Sequence, residues 1–234
     1  MSNLFRRRIR DIKHRIYLRS QPKQYKKLRA GLALNKLIAE YDFTTVLDIG
    51  SGGGEHSVIF ADAGKKVTAI DFGSSYYFRK SQSNVQVTIA DFMSFDFAHQ
   101  FDCVWCSHVL EHQLNVQSFL LKVHDALIEN GILAITVPPL KHKIAGGHVS
   151  LWNGGLILYR LVLAGFDCKD ARILRYGNNI SVLVKKNKID IPSNIEYDRG
   201  DIRKIRQFLP NDLKYDTTDK VDDPFDGDIL KHNW

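Results

Sequence analysis

The sequence predicts an α/β fold, a doubly wound, mostly parallel seven-stranded sheet with a helical N-terminal extension. Three observations predict it. From Thr45 onward, short apolar runs alternate with helical segments. A glycine-rich stretch, Gly50-Ser51-Gly52-Gly53-Gly54, stands between the first such run and a helix. The strand–helix–strand spacing calls for right-handed crossovers between parallel strands. A chain of 234 residues can bury one full-sized core.

The elements follow in order. Residues 1–45 read as a basic helical extension or lid. Phe5, Ile9, Ile12 and Ile16 are spaced to share one helix face, with Arg and Lys around the rest. A second helix, about 27–41, follows Pro22. Strands are expected at 46–49, 67–70, 85–89, 101–106 and 132–137. Between the last two, Val116, Phe119, Leu120, Val123 and Leu127 form a helical stripe, and Asn130-Gly131 supplies a left-handed stop. A helix at about 151–164 is closed by Gly165. Strands at 171–174 and 180–184 then pair as a hairpin through Gly177-Asn178-Asn179. The domain is expected to span 46–187. Residues 188–234 form an acidic tail on or near it.

The formal charge of +7 is unevenly placed. Residues 1–30 hold eleven Lys or Arg and one acid, Asp11, a net +10; the other 204 residues carry −3. Residues 211–234 hold seven Asp and three Lys. The three cysteines make a poor disulfide framework and suggest a reducing compartment. No apolar signal segment follows the basic start, and the longest apolar stretch, 156–166, is interrupted by Arg160. A cytoplasmic protein is expected, with the basic end as a candidate contact to the inner face of a membrane.

The glycine-rich turn carries the chemistry. Gly50, Gly52 and Gly54 let the backbone turn tightly and approach a ligand. The crevice at the carboxyl ends of parallel strands is where such sheets bind ligands. A dinucleotide loop would place its third glycine at position 55, which is Glu. The acid at 48 argues for a cationic ligand group. Asp71 ends the second strand, where a carboxylate can accept from both hydroxyls of a ribose, and Asp91-Phe92 follows the third.

The Asp48-x-Gly50-x-Gly52-x-Gly54 spacing resembles the first motif of class I S-adenosylmethionine-dependent methyltransferases. Ser107-His108-Val109-Leu110-Glu111-His112 is similar to the Leu-Glu-His segment of the ubiquinone-type and small-molecule branches, and 131–138 to the family's fifth strand. The resemblance covers roughly 45–186 and implies a Rossmann-like fold with S-adenosylmethionine as cofactor. It implies that Asp48, with Gly50, Ser51, Gly52 and Gly54, lies near the methionine part. Asp71 would hold the ribose and Asp91 with Phe92 the adenine, and Phe72 and Ser107 would also bind the cofactor. The chain from Gly146-Gly147 onward, including Phe225-Asp226-Gly227-Asp228, resembles methyltransferases of bacterial surface-polysaccharide clusters. It implies O-methylation of a sugar in a surface polysaccharide or lipid-linked glycan.

His148, in the loop after the fifth strand, is a candidate base for the acceptor's proton, with His108 and His112 as rivals. His108-Val109-Leu110-Glu111-His112 also has the H-x-x-E-H spacing of a zinc site, but no third-ligand motif follows, and no metal is expected. Cys103 and Cys106, three apart in a strand, point to opposite faces. Two other function classes remain open: an RNA methyltransferase using the basic segment as a phosphate-binding arm, and a non-catalytic protein keeping the cofactor fold as a scaffold.

Overall fold

The structure is a computed structural model and describes residues 3–79, 85–198, 200–213 and 224–234, with side chains from residue 11 onward except that of Tyr77. The helices are α1 (Asn3–Ser20), α2 (Lys23–Lys27), α3 (Gly31–Glu40), α4 (Glu55–Asp62), α5 (Tyr76–Arg79), α6 (Val116–Asp125), α7 (Gly154–Leu163) and α8 (Asp201–Ile205). The strands are β1 (Thr45–Ile49), β2 (Lys66–Asp71), β3 (Val87–Ile89), β4 (Phe101–Ser107), β5 (Leu127–Val137), β6 (Arg172–Tyr176), β7 (Asn179–Lys185) and β8 (Lys231–His232). They form one sheet in the order β3-β2-β1-β4-β5-β7-β6-β8. The first five are parallel, and β7, β6 and β8 continue antiparallel.

Winding reverses between β1 and β4, so their carboxyl ends, at Gly50 and Ser107, open a crevice at the switch point. Strand residues alternate between two cores, one on each face of the sheet. Val104 and Cys106 enter one, Cys103 and Trp105 the other. The two thiols therefore diverge, and burial pushes Cys103, Cys106 and Cys168 all upward in pKa.

Several elements differ from expectation for identifiable reasons. An eighth strand exists because Lys231 and His232 add to the edge of β6. Helix α6 ends at Asp125, and Leu127 opens β5 opposite Phe101 instead of closing a helical stripe. Asn130 is left-handed (φ 64°), but inside β5, at a bulge where Asn130 N–H donates to the Lys186 carbonyl. Helix α7 starts three residues late, because Trp152 bridges to Pro139 and the Asn153 side chain caps Leu156 N–H.

The extension departs most. The single helix expected at 27–41 is broken at Ala30, which is left-handed (φ 53°). Two bonds hold this turn to the sheet side. Ala30 N–H donates to Asn179 Oδ1 (3.2 Å), and His56 Nε2 donates to the Arg29 carbonyl (2.9 Å). In α1 the packed side is His14, Tyr17 and Leu18, while Ile12 and Ile16 of the expected buried stripe are exposed. Phe5 and Ile9 have no described side chains. Of the acidic tail, 214–223 lie outside the described residues, while Ile205, Leu209 and Ile229 join the core. Among the described residues, no helix is long and apolar enough to cross a membrane.

Candidate active site

The glycine turn is built as its composition requires. Gly50, Gly52 and Gly54 all have positive φ (67°, 53° and 77°), a region open to glycine at little cost. Gly50 N–H donates to the Ile70 carbonyl (2.8 Å), tying the turn to β2. A Cβ on Gly50 would fall inside the contact radius of Val109 Cγ2, so Val109, from beyond β4, closes one wall of the crevice.

Asp71 ends β2, largely buried. Its two oxygens accept from Gly52 N–H (2.9 Å) and Gly73 N–H (2.8 Å), which holds the carboxylate against the turn. Phe72, beside it, is 62% exposed at the crevice mouth. Asp91 follows β3, half-buried, and one carboxyl oxygen accepts from Met93 N–H (2.8 Å). The hydroxyls of Ser51 and Ser107, on opposite sides of the switch point, are buried without a hydrogen-bond partner. Cβ-free backbone, two strand-end carboxylates and two unsatisfied hydroxyls fit a nucleoside carrying a polar amino-acid arm.

Two expected cofactor residues face elsewhere. Phe92, expected over an adenine ring, is 5% exposed and packs into the core against Phe119 (5.2 Å between centroids) and Phe97 (6.0 Å). The apolar packing available beneath β3 outcompetes the crevice for this ring. Asp48 is buried and accepts from the Ser57 hydroxyl on α4, so it braces the turn from below.

Burial raises the Asp48 carboxyl to about 7, opposed by the Ser57 bond and reinforced by the Asp71 charge. The folded protein therefore holds this proton more tightly than the unfolded chain does. Stability should fall as pH rises from about 4 to 7, by up to roughly 4 kcal/mol. Asp48→Asn should flatten that slope, as read by urea unfolding at pH 5 and pH 8. An unchanged slope would remove Asp48 as its source.

The histidines divide by their partners. His108 is left-handed (φ 57°). Its Nε2 lies 2.9 Å from Asn179 Oδ1, the same oxygen that accepts from Ala30 N–H. The Asn179 amide nitrogen is committed to the Tyr176 carbonyl (3.2 Å), so that oxygen is an acceptor and His108 Nε2 donates to it. His108 Nδ1 faces Glu111 Oε1 at 3.2 Å. With Nε2–H given to Asn179, the lone pair of a neutral His108 sits on Nδ1, which is turned to the buried Glu111 carboxyl.

His112 differs. Its Nδ1 donates to the Gly147 carbonyl (2.7 Å), which leaves Nε2 as the lone-pair nitrogen, 3.9 Å from Glu111 Oε1. The His148 ring stands edge-on to His112, centroids 5.0 Å apart. Glu111, on the 3-10 turn Leu110–His112, is fully buried, and neither carboxyl oxygen has a bond of hydrogen-bonding geometry. Its backbone carbonyl accepts from Val149 N–H (2.8 Å), fastening the His148 loop to this turn.

Sequence reasoning missed Glu111 and Asn179 as site residues. Glu111 was visible in the Leu-Glu-His segment; Asn179 lies 71 residues from His108 and meets it only through the fold. The H-x-x-E-H pair gains no third ligand, since His108 stands outside the one grouping found among the described residues. Glu111, His112 and His148 offer atoms within 4.8 Å of one another. A cleft of about 440 Å³ lies elsewhere, at the opposite end of the sheet between Tyr41, Asn130 and Arg172.

Residues 47–135 match the family described as a methyltransferase domain. The ubiquinone biosynthesis O-methyltransferase of Glaesserella parasuis is 34% identical over 103 residues, 39% of this chain and 44% of that protein. The Rickettsia prowazekii protein of the same name is 32% identical over 118 residues, 47% of each chain. The chain thus spans less than half the length of these curated relatives. Among solved structures, an S-adenosylmethionine-dependent methyltransferase from Archaeoglobus fulgidus superposes with a TM-score of 0.58 at 15% identity, over 70% of this chain and 97% of that one. The Burkholderia thailandensis 1,6-didemethyltoxoflavin-N1-methyltransferase gives 0.56 at 19%, over 67% and 77%. Residues 47–135 therefore match a methyltransferase domain, and the fold around them is the one seen in these S-adenosylmethionine-dependent methyltransferases of known structure.

Proposed function

We propose that this chain transfers a methyl group from S-adenosylmethionine to a hydroxyl of a small-molecule acceptor. The observation that carries the reading is the glycine turn of positive-φ residues held against the Asp71 carboxylate, inside the matched segment. The relatives' names, O-methyltransferases of ubiquinone biosynthesis, support an oxygen acceptor on a small molecule. They lend no support to the glycan acceptor expected from the sequence, nor to RNA.

The cofactor, when bound, supplies a methyl group activated on a sulfonium. Asp71 would hold the ribose hydroxyls, Asp91 the adenine amino group, and the glycine turn with Ser51 the amino-acid arm. Ser107 would lie beside the sulfonium. His112 Nε2 takes the acceptor's proton, with Nδ1 oriented by the Gly147 carbonyl. The Glu111 carboxylate, 3.9 Å away, offsets the charge that arrives on the ring. His108 positions Glu111. His148 faces the same space and would contact the acceptor. A second reading, favoured by the 4.8 Å grouping, is that Glu111, His112 and His148 hold a divalent cation that binds the acceptor oxygen.

Asp71→Asn keeps the size and one acceptor oxygen but removes the charge. It should weaken S-adenosylhomocysteine binding at least about tenfold by calorimetry, the value of one charge-assisted hydrogen bond. Unchanged affinity would remove Asp71 from the cofactor site.

A further inference from the structure

Helix α1 turns one side to the sheet edge and leaves the other open. His14 lies against the backbone of Arg175, Tyr17 carries Lys231 over its ring at 3.7 Å, and Leu18 packs beside Leu174 and Tyr176. On the far side, Ile12 and Ile16 are 56% and 62% exposed, with Lys13, Arg15 and Arg19 exposed around them. Two large apolar side chains one helical turn apart, ringed by cations, are not an ordinary solvated face. A lid closed over the crevice would have buried them.

The direction of α1 sets where this face points. His14 meets Arg175, next to the end of β6, while Tyr17 meets Lys231, the partner of Leu174. Thus α1 runs antiparallel to β6, and the residues before His14 project past the crevice end of the sheet. At 1.5 Å per residue, the stretch from Asn3 extends about 16 Å. That stretch carries Arg6, Arg7, Arg8 and Arg10 in its sequence. At the same end, the loop after β5 exposes Leu140, Ile144 and Val149, interleaved with exposed Lys141, His142 and Lys143. Lys141 Nζ donates to Asn178 Oδ1 (2.6 Å) in the β6–β7 turn, three residues from Arg175. Two separate elements thus present apolar side chains among cations at one end of the molecule.

We infer that this end docks on an anionic lipid surface. Ile12, Ile16 and Ile144 enter the headgroup layer while the surrounding arginines and lysines meet lipid phosphates. Charge complementarity favours this occupant: residues 1–30 carry +10 and the remainder −3, so the field orients this end toward the surface and the body away. A nucleic acid would use the cations but leave the isoleucines in water. The docking surface lies at the crevice end, so a docked protein opens its site toward the bilayer. The inference does not depend on methyl transfer.

Flotation of the full chain with phosphatidylcholine vesicles, with and without phosphatidylglycerol, tests it. Binding is expected only with phosphatidylglycerol and should fall steeply with salt. Ile12→Glu/Ile16→Glu should weaken it at least about tenfold, with the circular dichroism spectrum and S-adenosylhomocysteine affinity unchanged. If that variant unfolds, Ile144→Glu carries the same expectation. The inference is overturned by absence of binding to phosphatidylglycerol vesicles at low salt. Variants that bind as tightly as the parent, or an RNA oligonucleotide bound in preference to vesicles, overturn it equally.

Discussion

His112→Ala lowers turnover roughly 100- to 10,000-fold while leaving S-adenosylhomocysteine affinity unchanged. The magnitude is that of a positioned general base. The assignment rests on tautomer: with Nδ1–H given to the Gly147 carbonyl, only Nε2 can accept a proton. The contrast with His108 makes the test sharp. His108→Ala leaves the His112 lone pair in place but takes from Glu111 and Asn179 their shared partner, so its main cost falls on stability and loop order. Normal turnover of His112→Ala would exclude it as the base. Loss of wild-type turnover on dialysis against a chelator would move the trio's role to a cation.

Gly50→Ala should cost about 2–4 kcal/mol of stability and weaken cofactor binding at least about tenfold. Two effects add. A side chain at φ 67° adopts the left-handed region, at roughly 1 kcal/mol or more. The new methyl also collides with Val109 Cγ2, and the branched valine has few rotamers in which to withdraw. Val109→Ala makes room, so the double variant should recover the collision part and keep the backbone part. Chemical denaturation of the four proteins in the cycle separates them. Strict additivity would show that Val109 does not close over Gly50.

Local rules predicted the parallel half of the sheet well. Strands β1, β2 and β4 announce themselves by apolar runs bounded by Gly or Asp, and the turn at 50–54 by glycines whose φ values the structure bears out. What was illegible depends on distant partners. Leu127 fits a helical stripe and a strand equally well until Phe101 pairs with it. Phe92 reads as a crevice residue until Phe119 offers a drier face. The inward side of α1 is chosen by Arg175 and Lys231, from the far end of the chain, over Ile12 and Ile16 of the regularly spaced apolar stripe. In the site, motif spacing named His108, His112 and His148 without ranking them. The ranking comes from which nitrogen each has already committed.

Asn179 has a consequence for how such domains are exchanged. Its amide oxygen receives Ala30 from the extension and His108 from the crevice wall, and its amide nitrogen holds the hairpin at Tyr176. Head, edge strand and reaction centre thus share one side chain. A chimera that grafts residues 46–187 onto another protein's leader would lose the donor at Ala30 and with it part of the frame around Glu111. The extension and the body should therefore be inherited, recombined and engineered as a single unit, even though only residues 47–135 of the body carry the domain match.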